Sequence, residues 1–481
     1  MVRSSSGLAS AWSTELHGTG GDHGHAGTID ILPDDIFLEI FTFCVGDRYL
    51  NALRHTGEWQ RLVHVCRRWR QIIYASPHYL NLTLWCSEGT SAGNLSGWPE
   101  FPIAISYRQL YLKDDIVSLL KHHDRICFVD LVITSLQFGK VAAAMQKPFP
   151  VLKHLKLHIV VVRKQAVLPS GFLGGSAPCL QRVLLSGIRF PKLPKFLLSS
   201  RDLVHLQLDD IHATRYISPE AMVASLSVLT KLKTLHINLH FPIEQRTTHL
   251  DPLLQTVLPA LAELNVVGSS EYLEDLLALL DAPQLDDIRM DLYQLHSLHL
   301  PQLSLFIARA KNLRFRHVQV EFNDAEVQIK LDQFDPSHGD LGPGRPHFYL
   351  STSFEWPGTH VEHMSHVLSQ LFAMFSDVGH LFIHASEDHP GWQDNIDSTE
   401  WLAFLRLLTA IETLHVSGTL AGHVALALED IPEDMVTEVL PSLHRLRFED
   451  PNRRVESTGR FISLRQLYGH PVIVVDADFG G

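Results

Sequence analysis

The sequence predicts an α/β fold in two parts, a short all-α segment followed by an irregular solenoid in which strands alternate with helices. Three observations predict it. Two stretches with a helical apolar period lie between residues 31 and 77. The pattern apolar-x-x-apolar-x-apolar then recurs from residue 152 to residue 448. Segments with a helical period separate several copies of this pattern, so each copy predicts a strand followed by a helix.

The composition is that of a globular protein with a large core. The chain has 481 residues, of which 45% are apolar, and a mean hydropathy of +0.04. Its formal net charge of -13 disfavours a nucleic-acid partner, because binding to phosphates depends on an excess of Lys and Arg. Five cysteines without a C-x-x-C pair indicate reduced thiols, so we expect a cytoplasmic and/or nuclear protein. The sequence contains no uninterrupted run of about 18 apolar residues, so we expect no membrane-spanning segment.

Residues 1–28 are expected to form a disordered tail. The stretch is rich in Ser, Gly and His and lacks the apolar centre of an export signal. Its histidines, His17, His23 and His25, could bind a metal ion, but no rigid structure is expected to place further ligands beside them. We interpret them as incidental residues of a flexible tail.

Residues 29–78 are predicted to contain two short amphipathic helices. Pro33 fits a first helical turn, and the carboxylates of Asp34 and Asp35 favour a helix N-terminus. The apolar face of the first helix comprises Leu32, Ile36, Ile40 and Phe41. The apolar face of the second comprises Leu62, Val65, Cys66, Trp69, Ile72 and Ile73. Because so short a segment buries little apolar surface, we expect it to need a partner.

These residues resemble the F-box, the helical module that connects a substrate receptor to a cullin-RING (SCF) ubiquitin ligase through a Skp-family adaptor. The resemblance rests on the Leu-Pro opening, the Ile and Phe face of the first helix, and the Val-Cys-Arg-Arg-Trp-Arg run at residues 65–70. It covers roughly one tenth of the chain. The segment from Val45 to Trp59 looks like an insertion or an elongated linker relative to the usual F-box pattern. The Asp-Leu dipeptide often found midway in the family is missing. The alternative is an ordinary helical hairpin within a larger core.

The resemblance implies a docking face for the Skp-family adaptor and, through it, the cullin of an SCF complex. Its residues would be Leu32, Pro33, Ile36, Ile40, Phe41, Val65, Cys66 and Trp69. The resemblance also implies a non-catalytic subunit, which promotes ubiquitination by holding an unknown protein substrate near the ligase. The alternatives are a scaffold or recognition protein that uses the adaptor without ubiquitination, and a hydrolase within the α/β region.

Residues 79–470 are predicted to repeat a unit of one strand and one helix. The apolar pattern begins at Leu152, Leu180, Leu203, Leu232, Leu261, Leu285, Phe315, Val378, Ile411 and Leu443. Up to Phe315 the copies start 23 to 30 residues apart. A proline stands two residues before several of them, where it ends a helix and favours an extended chain. Helical periods at 272–280, 361–372 and 401–408 predict the intervening helices.

This spacing resembles that of leucine-rich repeats, whose units of roughly 20 to 29 residues bury their faces by stacking on their neighbours. The resemblance implies a curved solenoid, and the combination is similar to that of fungal F-box receptors. The Asn or Cys of regular repeats is absent after the strand, so we expect irregular repeats. The long interval after Phe315 predicts two extra strands, at 327–331 and 348–350, and a loop at 335–346. A non-solenoid α/β domain is the alternative, and residues 471–481 are expected to be a tail.

In such a solenoid, the residues that flank the strand leucines point to the concave face, the usual binding surface of these folds. The candidate substrate face comprises His205, Gln207, Thr234, His236, Asn238, Glu263, Asp287, Arg289, His317, His415, Arg445 and Arg447. The same surface includes His154, Lys156, Arg182, Asp209, Asn265, Asp291, Gln319 and Thr413. It is mixed in charge and rich in histidine, although each residue taken alone is more simply a solvated strand side chain.

The sequence contains no familiar motif of catalysis or cofactor binding. It has no phosphate loop, no H-E-x-x-H zinc helix and no G-x-S-x-G nucleophile elbow. His360, His363 and His366 would point to different sides of a helix, so at most two of them could share a metal ion. The Ser, Asp and His residues at 384–389 are too close in sequence to form an acyl-transfer triad. We therefore predict no cofactor, no metal and no catalytic residue.

Overall fold

The computed structural model divides the chain into two compact units, Met1–Thr83 and Leu84–Gly481. The structure describes residues 31–45, 58–76, 79–80, 82–87, 100–108, 114–160, 166–190, 192–212, 217–240, 255–293, 300–323, 326–332, 347–353, 360–371, 377–385, 398–449 and 458–475. The predicted tail at 1–28, most of the predicted insertion at 45–59 and the loop at 335–346 lie outside these residues. The described part is a mixed α/β fold, and none of its helices is long and apolar enough to cross a membrane.

The described part of the first unit contains three helices, α1 (Asp34–Val45), α2 (Glu58–Val63) and α3 (Arg67–Ala75). Helix α1 begins directly after Pro33, as predicted, with Asp34 and Asp35 in its first turn. The prediction of one continuous second helix is wrong. The backbone of Cys66 is extended (φ −154°, ψ 173°), and its Sγ accepts a hydrogen bond from the backbone N–H of Trp69 at 3.4 Å. Cys66 therefore acts as the N-cap of α3 and separates it from α2.

The second unit is built on a 16-stranded sheet. Its described strands, four of which lie outside this sheet, are β1 (Leu84–Cys86), β2 (Ile103–Tyr107), β3 (Ile126–Thr134), β4 (His154–Val160), β5 (Ala166–Val167), β6 (Arg182–Ser186), β7 (Ile188–Arg189), β8 (His205–His212), β9 (Thr234–His240), β10 (Thr256–Val257), β11 (Glu263–Ser269), β12 (Leu280–Asp281), β13 (Asp287–Tyr293), β14 (His317–Phe322), β15 (Glu326–Asp332), β16 (His347–Ser353), β17 (His380–Ala385), β18 (Thr413–Ser417), β19 (Arg445–Glu449) and β20 (Ile473–Val474). Its described helices are α4 (Asp114–Leu119), α5 (Ser135–Ala144), α6 (Pro219–Leu226), α7 (Ser270–Ala278), α8 (Pro301–Arg309), α9 (His360–Gln370), α10 (Ser398–Arg406), α11 (Leu420–Glu429) and α12 (Gly459–Leu467).

The strands of the large sheet lie in the order β1-β2-β3-β4-β6-β8-β9-β11-β13-β16-β15-β14-β17-β18-β19-β20. Neighbouring strands are parallel, except that β15 is antiparallel to both β14 and β16. Spatial order therefore follows chain order except at this insertion, where it is reversed. Strands β15 and β16 are the two extra strands predicted after Phe315, and their existence is confirmed. Strand β20 lies within the residues that were expected to be a tail.

The repeated apolar pattern forms the core of the second unit. In each copy the last two apolar residues lie on a strand of the large sheet, and the first lies just before that strand. All of these side chains are buried except Phe448 at the last copy. The helices predicted at 272–280, 361–372 and 401–408 are present as α7, α9 and α10. Because strand side chains alternate between faces, burial of the leucines leaves a polar, partly exposed face on the other side of the sheet.

Two buried charged side chains connect neighbouring segments of the second unit. The carboxylate of Glu274 on α7 accepts hydrogen bonds from the backbone N–H groups of Gln302 (2.7 Å) and Leu303 (2.9 Å) at the start of α8. Burial raises the pKa of this carboxyl group. Arg465 on α12 is fully buried and donates to the carbonyl oxygen of Leu443 at 3.0 Å. Both groups satisfy backbone atoms that would otherwise be buried without a partner.

Candidate functional site

The helices of the first unit meet around an aromatic cluster. Phe37 and Phe41 on α1 pack against Trp69 on α3, with ring centroids 5.7 and 4.9 Å from that of Trp69. Their spacing of four residues places both phenylalanines on the inner side of α1, and both are fully buried. We therefore correct the assignment of Phe41 to the docking face: its side chain has no exposed surface and belongs to the core.

Arg68 connects α3 to the start of α1. Its Nη2 donates to Oδ1 of Asp34 at 2.7 Å and to the carbonyl oxygen of Leu32 at 2.6 Å. Its guanidinium carbon also lies 4.8 Å from the centre of the Phe37 ring. A partly exposed ion pair contributes little free energy by itself. Because Arg68 bonds to two groups near Pro33, however, it fixes the position of the Leu-Pro segment relative to α3.

The outer side of α1 carries an exposed apolar stripe, formed by Ile36, Ile40 and Phe43 and called here the α1 stripe. The three residues follow one another at i, i+4 and i+7, which places them on one side of the helix. Phe43 is 87% exposed and Ile36 is 37% exposed, whereas Ile40 is partly buried. Neighbouring apolar residues exposed in this way are typical of interaction surfaces. The sequence analysis missed Phe43, although its place seven residues after Ile36 was a signal that identifies it.

The other predicted docking residues lie near the starts of α1 and α3. Leu32 and Pro33 precede α1, and Val65 and Cys66 precede α3. Pro33 and Val65 are exposed, whereas Leu32 and Cys66 are partly buried, as is Trp69. The bonds of Arg68 bring the starts of these two helices together. Contact with an adaptor by these residues stays a prediction.

Residues 29–83 match the family model described as F-box-like. The chain therefore carries an F-box-like domain, and α1, α2 and α3 with their aromatic cluster belong to it. This confirms the F-box resemblance for the N-terminal segment. A comparison of the chain with curated proteins finds no match.

The second unit carries a second candidate surface. It is the polar face of the large sheet, which we call the open face. Its side chains form rows across neighbouring strands. One row joins His205, Thr234, Glu263 and Asp287, and the next joins Gln207, His236, Asn265 and Arg289. The rows run on through the reversed strands and continue from β14 with His317, His380, Thr413 and Arg445, and with Gln319, Phe382, His415 and Arg447. The twelve residues of the candidate substrate face all retain exposed surface, and strand register places them on this one face.

The centre of the open face is rich in hydrogen-bond acceptors. Nδ2 of Asn238 donates to Oδ1 of Asp209 at 3.0 Å, and Nε2 of His236 lies 3.6 Å from the same oxygen. Burial raises the pKa of the Asp291 carboxyl group, and the nearby carboxylate of Glu326 raises it further. The centre of the open face therefore presents carboxylate, amide and ring-nitrogen groups for polar contacts.

Histidines cluster towards the C-terminal strands of the open face. Nδ1 of His384 lies 2.7 Å from Oγ of Ser417, and the rings of His317 and His380 stack with centroids 4.4 Å apart. Ser386, Asp388 and His389 of the 384–389 stretch lie outside the described residues. Of the three histidines on α9, the structure describes the side chain of His366, which is exposed. Within the described ranges, no group of three or more His, Cys, Asp or Glu side chains could hold a metal ion.

Proposed function

We propose that the chain is the substrate-recognition subunit of an SCF (cullin-RING) ubiquitin ligase. F-box domains generally bind Skp-family adaptors, and the F-box-like match at residues 29–83 supports the same partner here. The observation that carries the proposal is the α1 stripe, which leaves Phe43 87% exposed on a helix whose other side packs against Trp69. A small helical domain with such a surface gains stability when a partner covers it.

The proposed docking face combines the α1 stripe with the two segments that Arg68 holds together. Leu32 and Pro33 at the start of α1, and Val65 at the start of α3, extend the apolar surface. Cys66 and Trp69 are partly buried, so they contribute mainly by holding α3 in place. The adaptor in turn would connect the chain to the cullin.

We propose that the second unit is an irregular leucine-rich-repeat-like solenoid that binds the substrate protein on its open face. Support comes from parallel strands that follow chain order, from buried leucines whose pattern recurs every 23 to 30 residues up to Phe315, and from helices between most strands. Solenoids of this kind bind partners on the concave surface lined by their strands. The polar and aromatic residues of the open face suit the recognition of another protein.

In this proposal the chain catalyses no reaction. It acts by proximity, because a bound substrate experiences a high local concentration of the ligase components that carry ubiquitin. The role requires no cofactor and no metal in the chain itself. It belongs to the cytoplasm and/or the nucleus, where cullin-RING ligases act.

The test is affinity purification of the tagged full-length chain, followed by mass spectrometry. A double variant, Ile36→Asp with Phe43→Asp, places charges on the α1 stripe without removing a buried side chain. We expect recovery of the adaptor and the cullin to fall at least about tenfold, because apolar anchors at the centre of an interface are each worth more than about 1 kcal/mol. Leu32→Ala with Pro33→Ala tests the other half of the docking face and is expected to act in the same direction.

The matched control is Leu467→Asp, which alters a 77% exposed leucine of the second unit and should leave adaptor recovery unchanged. Circular dichroism of each variant establishes that it is folded. If no adaptor is recovered with the parent chain, the proposal fails, and if the charged stripe variant recovers it fully, the docking face is wrong. Ubiquitin transfer to a co-purified partner distinguishes a ligase receptor from a scaffold.

A further inference from the structure

The first strands of the open face carry three aromatic rings in contact. Strand register aligns four residues side by side: Trp85 on β1, Ala104 on β2, Phe128 on β3 and His154 on β4. The centroids of Trp85 and Phe128 are 5.1 Å apart, and those of Phe128 and His154 are 4.4 Å apart with planes only 7° from parallel. Ala104 is fully buried and small enough for the rings of its neighbours to meet above it. We call the three partly exposed rings, Trp85, Phe128 and His154, the aromatic platform.

The platform is uncharged at neutral pH although one of its rings is a histidine. Burial lowers the pKa of His154 to about 4, and the positive charges of Arg182 and Lys156 act in the same direction against the opposing effect of Asp130. His154 therefore stacks on Phe128 as a neutral ring. Exposed aromatic surfaces of this kind are typical anchor points for a large apolar side chain of a partner.

Two cations beside the platform have no carboxylate partner within the described residues. Lys156 lies two residues after His154 on β4, and Arg182 on β6 faces His154 in register. Neither side chain forms an ion pair or a hydrogen bond in the part of the chain that the structure describes. Arg182 is exposed and Lys156 is partly exposed. On a chain with a net charge of -13, such a patch is complementary to an acidic partner.

A buried carboxylate next to the platform has a hydrogen-bond donor at only one of its two oxygens within the described residues. Asp130 is only 2% exposed, and its Oδ2 pairs with Nη2 of Arg108 at 2.7 Å. Its Oδ1 has no hydrogen-bond partner among the described residues. Asp130 lies in register with Lys156, in the row adjacent to the platform. Because Asp130 is buried, a partner on this face meets the cations Lys156 and Arg182 rather than this carboxylate.

We propose that this end of the open face docks an acidic peptide segment that carries one aromatic or large apolar anchor residue. The anchor packs on the aromatic platform, and the acidic side chains pair with Lys156 and Arg182. The proposal rests on the proposed function in that it names the substrate class of the receptor. Its geometry, however, involves no residue of the F-box-like domain.

The test measures binding of the full-length chain to a short fluorescein-labelled peptide of Glu and Asp with one central Phe, by fluorescence anisotropy. We expect Arg182→Glu and Lys156→Glu each to weaken binding at least about tenfold, and Phe128→Ala to do the same, because each removes one element of the recognition. Replacing the Phe of the peptide by Ala, or adding salt, should also weaken binding. The matched control is Lys311→Glu, which reverses the charge of an exposed lysine between α8 and β14, outside the surfaces proposed to bind a partner, and should leave the affinity unchanged.

Several outcomes would overturn the proposal. These are failure of the parent chain to bind the acidic peptide, equal affinity of the parent and Arg182→Glu, and tighter binding of the charge-reversed peptide or of a single-stranded oligonucleotide. Adaptor recovery from the same preparations keeps the two proposals separate. Recovery of adaptor without peptide binding refutes the platform alone, and peptide binding without adaptor refutes the ligase role alone.

Discussion

Among single residues, Gly187 is held by two independent constraints. It follows β6 with φ at +69°, a conformation in which a side chain is strained. A Cβ atom at this position would lie 2.2 Å from the carbonyl oxygen of Ile159 on β4. That oxygen belongs to the backbone of a strand paired with β6, so it has little freedom to move. The close approach of two strands therefore depends on the absence of a side chain at Gly187.

We predict that Gly187→Ala lowers the free energy of unfolding by about 1 to 3 kcal/mol, because it adds both backbone strain and a steric clash. Urea denaturation followed by circular dichroism measures the change. The matched control is Gly139→Ala, since Gly139 lies inside α5 with open space around its Cβ position. The control should raise the stability by about 0.5 to 1 kcal/mol. Equal stability of Gly187→Ala and the parent would contradict the argument.

The sequence predicts helix α1 but does not predict which of its side chains face the core. A helical period predicts the helix, but apolar residues stand on several of its sides, among them Phe37, Phe41 and Phe43. The side that faces inward is decided by Trp69, which belongs to a different helix. No local period contains that contact, and for this reason Phe41 was assigned to the surface and Phe43 was missed.

Among the elements, the positions of the strands could be predicted from the sequence. The interruption between α2 and α3 and the order of the strands in the sheet could not. The apolar pattern predicts strands β4, β6, β8, β9 and their successors because it combines the two-residue period of a strand with a buried residue just before it. The break before α3 was missed because Cys66 is an unusual N-cap that leaves the apolar period intact. The reversed order of β14, β15 and β16 depends on pairing between strands, which the period of a single strand does not encode.

Glu274 offers a test of how one element supports the next. Its carboxylate accepts hydrogen bonds from two backbone N–H groups at the start of α8, and helix N-termini favour negative charge. We predict that Glu274→Ala lowers the free energy of unfolding by about 2 to 3 kcal/mol, because the N–H groups of Gln302 and Leu303 lose their acceptor. Glu274→Gln retains one acceptor oxygen and should lose less.

Two measurements check this prediction. Thermal unfolding compares the stability of the variants, and hydrogen exchange at α8 reports whether the loss is local to that helix. Equal effects of the Ala and Gln variants would contradict this prediction, because Gln keeps the size of the side chain and one of its two acceptor oxygens.

For the whole molecule, the two candidate surfaces differ in chemistry and belong to different compact units. The α1 stripe is apolar and lies in the first unit, whereas the aromatic platform with Lys156 and Arg182 lies in the second. Neither surface contributes a residue to the other. A receptor that bridges a ligase and a substrate requires this division, because each partner must bind while the other is present.

We predict that the two binding activities are separable and that their losses are additive. Ile36→Asp with Phe43→Asp should lower adaptor recovery at least about tenfold and leave the affinity for the acidic peptide within about twofold of the parent. Arg182→Glu should weaken peptide binding at least about tenfold and leave adaptor recovery unchanged. In the combined variant, each loss should equal that of the separate variant, within about 0.5 kcal/mol for the peptide affinity, since sites without shared residues or partners behave independently. Anisotropy titrations and adaptor pull-downs on the same four proteins measure both quantities. A larger deviation would mean that occupation of one unit changes the other, and the two sites would then have to be treated as coupled.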